Sequence, residues 1–251
     1  AYSHIFLVIV MTFSWISTSR SHQGKVRKVN EDSAFAHPDG MLWAIADGMG
    51  GYEGGSMASD IVVEELGKIK KSDVLDQLVQ NSLQQLQIAN TRIQRYSIEQ
   101  CSGRSVGSTV VCFITGADGA ACVWAGDSRL YRLRDSELLQ LTTDHSEVAQ
   151  LVALGHLTEV EARAHPKANV ITRTIGVGRD QEAETILVNT ENSDTFLLCS
   201  DGLYNELDES AIVESLREED LESIADDLMS RCMLTPAKDN ISILLLRCSR
   251  Q

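Results

Sequence analysis

The 251-residue sequence predicts an α+β domain built on antiparallel sheets, and three observations carry that prediction. Strand-like and helix-like segments come in runs instead of alternating strictly, which separates α+β from α/β architecture. The segments at 108–115, 120–125, 130–134 and 137–141 are short and closely spaced, so hairpins are expected to link them. Two continuous apolar runs, 195–199 and 241–246, read as central strands buried on both faces. At 43% hydrophobic residues the chain can bury a full core without disulfides, and one compact domain is expected.

Each element follows from local pattern. Residues 13–19, 33–37 and 41–46 read as short strands separated by turn residues. A helix then aligns Ala58, Ile61, Val62, Leu66 and Ile69 on one face. A second, with Ser72 as its cap, aligns Leu75, Leu78, Val79, Leu86, Ala89 and Ile93. After the four strands, residues 146–154 form a helical patch stopped by Gly155, and Thr158-Glu159-Val160-Glu161 has the spacing of a capping box. A small helical subdomain between strands is implied. From Asp208 to Asp227, carboxylates alternate with apolar residues at helical spacing, which reads as two acidic amphipathic helices with solvated outer faces. There is no internal repeat, low-complexity segment or proline-rich linker.

Composition narrows the function classes. A net charge of -14 argues against a nucleic-acid partner, because phosphate backbones are bound by clustered Lys and Arg. A cation suits this chain better. None of the six cysteines forms a C-x-x-C pair, and Cys112, Cys122, Cys199 and Cys248 lie inside apolar runs. They read as buried thiols of a reducing, cytoplasmic compartment. The apolar run at 5–10 is too short to span a bilayer, and no Lys or Arg precedes it as a signal peptide requires. Residues 1–12 are read as an N-terminal extension, either sequence ahead of a start at Met11 or an edge strand. Residues 13–251 are read as a single domain.

The chemistry sits where apolar strands end. Residues 42–46 run into Asp47-Gly48, residues 123–126 into Asp127-Ser128, and residues 196–200 into Asp201-Gly202, while Asp239-Asn240 opens the last strand. Singly, each reads as a turn, because Asp caps turns through its own side chain. Together, four aspartates at strand ends can converge on one sheet edge, where carboxylates repel unless a cation lies between them. Oxygen-only ligands select hard cations such as Mg²⁺ or Mn²⁺, and with no cysteine pair and no H-E-x-x-H zinc is disfavoured.

The ordered series of motifs resembles the metal-dependent protein phosphatases (PPM, type 2C) in their compact bacterial form, from about Ser17 onward. Arg27-Lys28-Val29-Asn30-Glu31-Asp32 is similar to the family's R-x-x-N-E-D. Asp47-Gly48-Met49-Gly50-Gly51, with Gly55, Ala58 and Ser59, is similar to its D-G-M-G-G signature. Gly126-Asp127-Ser128-Arg129, Thr143-Asp144-His145-Ser146, Ser200-Asp201-Gly202 and Asp239-Asn240 complete the set in family order. The resemblance implies a four-layer α-β-β-α sandwich with a helical flap at about 146–172, and hydrolysis of phosphoserine and phosphothreonine in proteins.

The resemblance also implies residue roles. Asp47 would bridge two Mn²⁺ or Mg²⁺ ions, with the Gly48 carbonyl on the second, and Asp201 and Asp239 would complete the first site. Glu31 and Asp32 would act through water, and Asp127 with Asp201 would hold a third, weaker ion. Two such ions activate a water for in-line attack on phosphorus, and Arg27 would clamp the phosphate oxygens in fork geometry. The partners implied are phosphorylated proteins and a cognate Ser/Thr kinase pathway, one regulating a secretion system among them. The chain would act as a monomer without nucleic acid or membrane. Met49 stands where eukaryotic members often carry a proton-donating histidine, and a thioether has no proton to give. Bacterial relatives usually show G-G-H-x-x-G-E, whose polar positions are Tyr52 and Ser56 here. His145, His156 and His165 are expected to make structural hydrogen bonds.

Other classes fit less well. Gly48, Gly50 and Gly54 have the wrong spacing for a dinucleotide fingerprint, and Asp47 would set a negative charge beside a pyrophosphate. Residues 103–109 lack a P-loop lysine, and no G-x-S-x-G elbow occurs. A metallonuclease is disfavoured by the acidic balance. A catalytically silent phosphoprotein-binding module on the same fold would show lost ligands, yet Asp47, Asp201 and Asp239 are all present.

Overall fold

Two antiparallel sheets meet face to face and each carries helices on its outer side. The computed structural model describes residues 13–51, 54–178 and 183–250. The apolar run at 5–10 and Tyr52 lie outside those residues. The chain runs β1 (Phe13–His22), β2 (Asp32–Ala36), β3 (Leu42–Met49), α1 (Gly54–Leu66), α2 (Leu75–Gln100), β4 (Gly107–Ser108), β5 (Val110–Gly116) and β6 (Gly119–Ala125). It continues through β7 (Arg129–Arg134), β8 (Glu137–Gln140), α3 (Glu147–Ala153), α4 (Glu159–Arg163) and β9 (Glu184–Val188). Then come β10 (Thr195–Cys199), α5 (Asp201–Tyr204), α6 (Glu209–Ser215), α7 (Leu221–Leu234) and β11 (Ile241–Arg250).

One sheet has the order β1-β11-β10-β7-β8, and the other β2-β3-β5-β6-β9 with β4 paired to β3. Strand periodicity sorts the core into three layers. In β11, Leu244 and Leu246 face the opposite sheet, while Ile241, Ile243 and Leu245 face the helical layer of α6 and α7. In β5, Val111 and Phe113 point between the sheets and Val110, Cys112 and Ile114 toward α1 and α2. Phe113 and Phe196 stack across the inter-sheet seam with centroids 4.7 Å apart, and Trp15 packs edge-on to Phe113 at 5.3 Å. The layers are therefore α-β-β-α, and β10 and β11 are the doubly buried strands that their apolar runs predict.

Two local expectations are corrected, and one strand is added. Hairpins join β5 to β6 and β7 to β8, but β6 and β7 belong to different sheets. The link between them crosses from one sheet to the other at Gly126, whose φ of +113° bends the chain where a Cβ would lie 2.6 Å from Thr109. Ser72 does not cap α2 directly. Its hydroxyl accepts from Val74 N, the cap residue is Val74, and the first helical N–H, Leu75, is met by Asp118 from the β5–β6 turn at 3.0 Å. A tertiary contact replaces the local cap. Strand β9 goes unpredicted because it is an edge strand whose apolar Leu187 is 80% exposed, which hides its alternation.

Candidate active site between the two sheets

The strand ends that carry acidic residues gather at one edge of the sandwich. Asp47 does not sit in a turn: β3 continues to Met49 because Gly48 and Met49 pair with Ser108 and Gly107. Asp32 opens β2 directly opposite Asp47 in the β2–β3 register. Asp201 is the first residue of α5, at the end of β10, and Asp239 immediately precedes Asn240 and β11. Asp127 lies in the crossing between β6 and β7. Ser200 Oγ donates to Asp32 Oδ2 at 2.7 Å, which joins the β2–β3 edge to the β10–β11 edge. The site thus straddles both sheets.

Backbone is held as firmly as side chains. Asp47 N donates to Thr109 Oγ1 at 3.1 Å and Thr109 N returns to Asp47 O at 2.8 Å. Glu31 O accepts from Gly48 N and from Ser59 Oγ, and Glu31 N donates to Asn240 Oδ1 at 2.8 Å. Asn240 Nδ2 also donates to Gln23 O and Val29 O, so this one amide fixes the loop that bears Arg27. At Gly48 a Cβ would fall 2.0 Å from Gly55 O, and at Gly202 a Cβ would fall 2.0 Å from Asn240 O. Only glycine permits these backbone approaches.

The electrostatics mark the carboxylates as one cluster. Burial, then the charges of Asp32, Asp201, Asp127 and Asp239, push the Asp47 carboxyl far above the ordinary aspartate range. Asp201 is raised in the same way, by burial and then Asp127, Asp239 and Asp32. Burial lifts Asp32 to about 6 against the opposing hydrogen bond of Ser200. Asp127 also reaches about 6, through burial and then Asp144. Glu31 is raised chiefly by burial. Such mutual repulsion is relieved by a counter-cation.

A cation fits these residues on two grounds. Glu31 Oε1, Asp32 Oδ1 and Asp201 Oδ1 are buried with no hydrogen-bond partner among the described residues. Buried carboxylate oxygens left in that state are costly unless an ion takes them up. The donors are all oxygens, matching Mg²⁺ or Mn²⁺. Among the described residues no three His, Cys, Asp or Glu side chains are already closed into a ligating cluster. Asp239 is instead paired with Arg27, Nη2 to Oδ2 at 2.6 Å, and Asp32 turns one oxygen to Ser200.

The structure therefore brings Glu31, Asp32, Asp47, Gly48, Asp127, Asp201 and Asp239 into one neighbourhood, with the half-exposed Arg27 at its rim. Met49 is half-buried at the end of β3 and Ser56 half-buried on α1. His145 makes the expected structural bonds: Nδ1 accepts Gly126 N at 3.2 Å and the ring stacks on Trp124. His165 Nδ1 accepts Lys167 N. Residues 146–172 carry α3, capped by Ser146, and α4 with its Thr158–Glu161 capping box, and Ser146 bridges Ile171. Thr109 and Tyr204 escape sequence reading because their roles are contacts 62 and 77 residues away along the chain.

The comparisons agree with this geometry. A family model described as Protein phosphatase 2C matches residues 18–241. The "Serine/threonine phosphatase stp" of Listeria monocytogenes serotype 4b is 33% identical over 238 residues, covering 90% of this chain and 93% of its own. The solved structure of "PppA, a key regulatory component of T6SS in Pseudomonas aeruginosa" superposes with TM-score 0.86 at 37% identity, over 93% of this chain and 97% of that one. A PstP catalytic domain solved "in complex with 2 Manganese ions" gives TM-score 0.83 at 29% identity, over 95% of this chain and all of the other. Shared architecture, the ordered motifs and a match across most of the chain place this protein in the protein phosphatase 2C family.

Proposed function

We propose that this chain is a metal-dependent protein serine/threonine phosphatase acting on phosphoserine and phosphothreonine in proteins. The observation that carries the reading is the buried, mutually repelling carboxylate cluster with three unpartnered oxygens and an arginine at its mouth. Asp47 and the Gly48 carbonyl, with Asp201 and Asp239, are assigned to two Mn²⁺ or Mg²⁺ ions. Glu31 and Asp32 are assigned to act through water, and Asp127 with Asp201 to a weaker third ion. When bound, such ions supply an activated water for in-line displacement at phosphorus.

The chain's own groups do the rest. Ser200 and the β2–β3 register orient Asp32, Thr109 fixes the Asp47 backbone, and Asn240 ties the Arg27 loop to the residue after Asp239. Arg27 clamps phosphate oxygens with its planar fork while its remaining contact stays with Asp239. Met49 carries no proton for the leaving group, so residue 49 is not the acid.

Residues 13–251 are assigned to one catalytic domain with the flap at about 146–172. The neighbour PppA is a key regulatory component of T6SS in Pseudomonas aeruginosa. By that likeness the substrates are phosphoproteins of a Ser/Thr kinase pathway, one governing secretion machinery. The enzyme is read as a cytoplasmic monomer; among the described residues no helix is long and apolar enough to cross a membrane. The test is release of phosphate from phosphoserine and phosphothreonine peptides by purified protein with Mn²⁺. Turnover that ends on chelation and returns with metal is expected; no turnover at full metal loading contradicts the reading.

A further inference from the structure

Asp127 lies outside regular structure, in the crossing between sheets from the end of β6 to the start of β7, and something must fix its place. Gly126 is held on one side by His145, which accepts Gly126 N on Nδ1 and donates its own N–H to Gly126 O at 2.9 Å. Ser128 is held on the other by Thr109, hydroxyl to hydroxyl at 2.7 Å. Between them, Tyr204 Oη donates to the Asp127 carbonyl at 3.0 Å. Tyr204 is the last residue of α5, three positions after Asp201, so one short turn of helix carries both Asp201 and the phenol that grips Asp127.

Tyr204 is itself held. The Arg129 guanidinium lies 3.5 Å above the Tyr204 ring centroid. Asp144 fixes that guanidinium in a fork, with Nε at 2.9 Å from Oδ1 and Nη2 at 2.6 Å from Oδ2, and Arg129 Nη1 donates to Tyr131 Oη at 2.8 Å.

We propose that Tyr204 is a positioning residue that locks Asp127 to α5, with Arg129 and Asp144 holding its ring. The phenol thereby sets the affinity of the weaker cation assigned between Asp127 and Asp201. This rests on the functional reading above, and its test separates the two. Manganese is titrated calorimetrically into metal-free wild type, D127N, Y204F and R129K, with thermal melts and phosphopeptide turnover measured in parallel.

Wild type should show tight binding followed by a weaker phase, and D127N should lose the weaker phase. Y204F keeps the ring on Arg129 and removes only the hydroxyl. It should leave the tight phase and the melting temperature nearly unchanged while weakening the second phase roughly three- to tenfold, the worth of one hydrogen bond. R129K, which keeps the charge and loses the fork, should weaken the same phase. A second phase unchanged in both variants overturns the proposal, as does equal weakening of both phases, which would make Tyr204 merely structural. Wild type that turns over with no weaker phase overturns it while leaving the phosphatase reading intact. Wild type that neither binds manganese nor turns over sinks both.

Discussion

Arg27 and Asp239 meet across the mouth of the carboxylate cluster, with Nη2 of the arginine 2.6 Å from Oδ2 of the aspartate. The pair sets the only arginine of the Arg27 loop beside a residue assigned to metal. Both remain partly open to solvent, at 48% and 36% side-chain exposure, so the guanidinium has donors to spare for an incoming phosphate.

The first prediction follows from that geometry. Arg27→Ala should chiefly raise KM in phosphopeptide hydrolysis, because it removes a substrate clamp and leaves the carboxylates in place. Arg27→Lys should rescue poorly, since a lysine presents a point charge instead of a fork. A loss confined to kcat would contradict the assigned role.

Gly202 supplies a stability prediction. A Cβ there would meet the Asn240 carbonyl oxygen at 2.0 Å, and backbone cannot swing aside as a side chain can. Gly202→Ala should therefore cost about 1–3 kcal/mol by chemical denaturation. It should also weaken manganese binding, since Asp201 and Asp239 flank the contact. An unchanged denaturation midpoint would show that the two backbones are not in contact.

The pH dependence of stability is set partly by the α1–α2 contact. Glu65 is buried, and the hydrogen bonds of Lys68 and Arg92 outweigh burial to hold its carboxyl below the ordinary range. Glu64, bound to the same two bases, is pulled down to about 2 by Arg92 and Lys68. A carboxylate with depressed folded pKa stabilises above its unfolded value and loses that contribution as pH falls through its folded value. Glu65→Gln should cost about 1–3 kcal/mol at pH 7. The gap from wild type should shrink as pH falls below about 4.5. A gap constant across that range would show that the charge of Glu65 does not matter.

Much of the fold is legible because its signals are local. Strands β10 and β11 show as unbroken apolar runs, and the Thr158–Glu161 capping box is present as its spacing predicts. The crossing at Gly126 is not legible, since a hairpin and a change of sheet need the same number of residues. Nor is the cap of α2, which Asp118 supplies from 43 residues away. In the site, the aspartates are visible as strand-end residues in a fixed order. What holds them, Thr109 on Asp47 and Tyr204 on Asp127, depends on contacts made only after the sheets pack.

Asp47, Asp201 and Asp239 are proposed to hold the cations that run the hydrolysis. The most direct test is a manganese titration of phosphothreonine-peptide turnover by wild type and Asp201→Asn, each checked for an intact melt. Saturable metal activation is expected in wild type and, in the variant, turnover near the metal-free level at every manganese concentration that saturates wild type. A variant that matches wild type across the titration would contradict it.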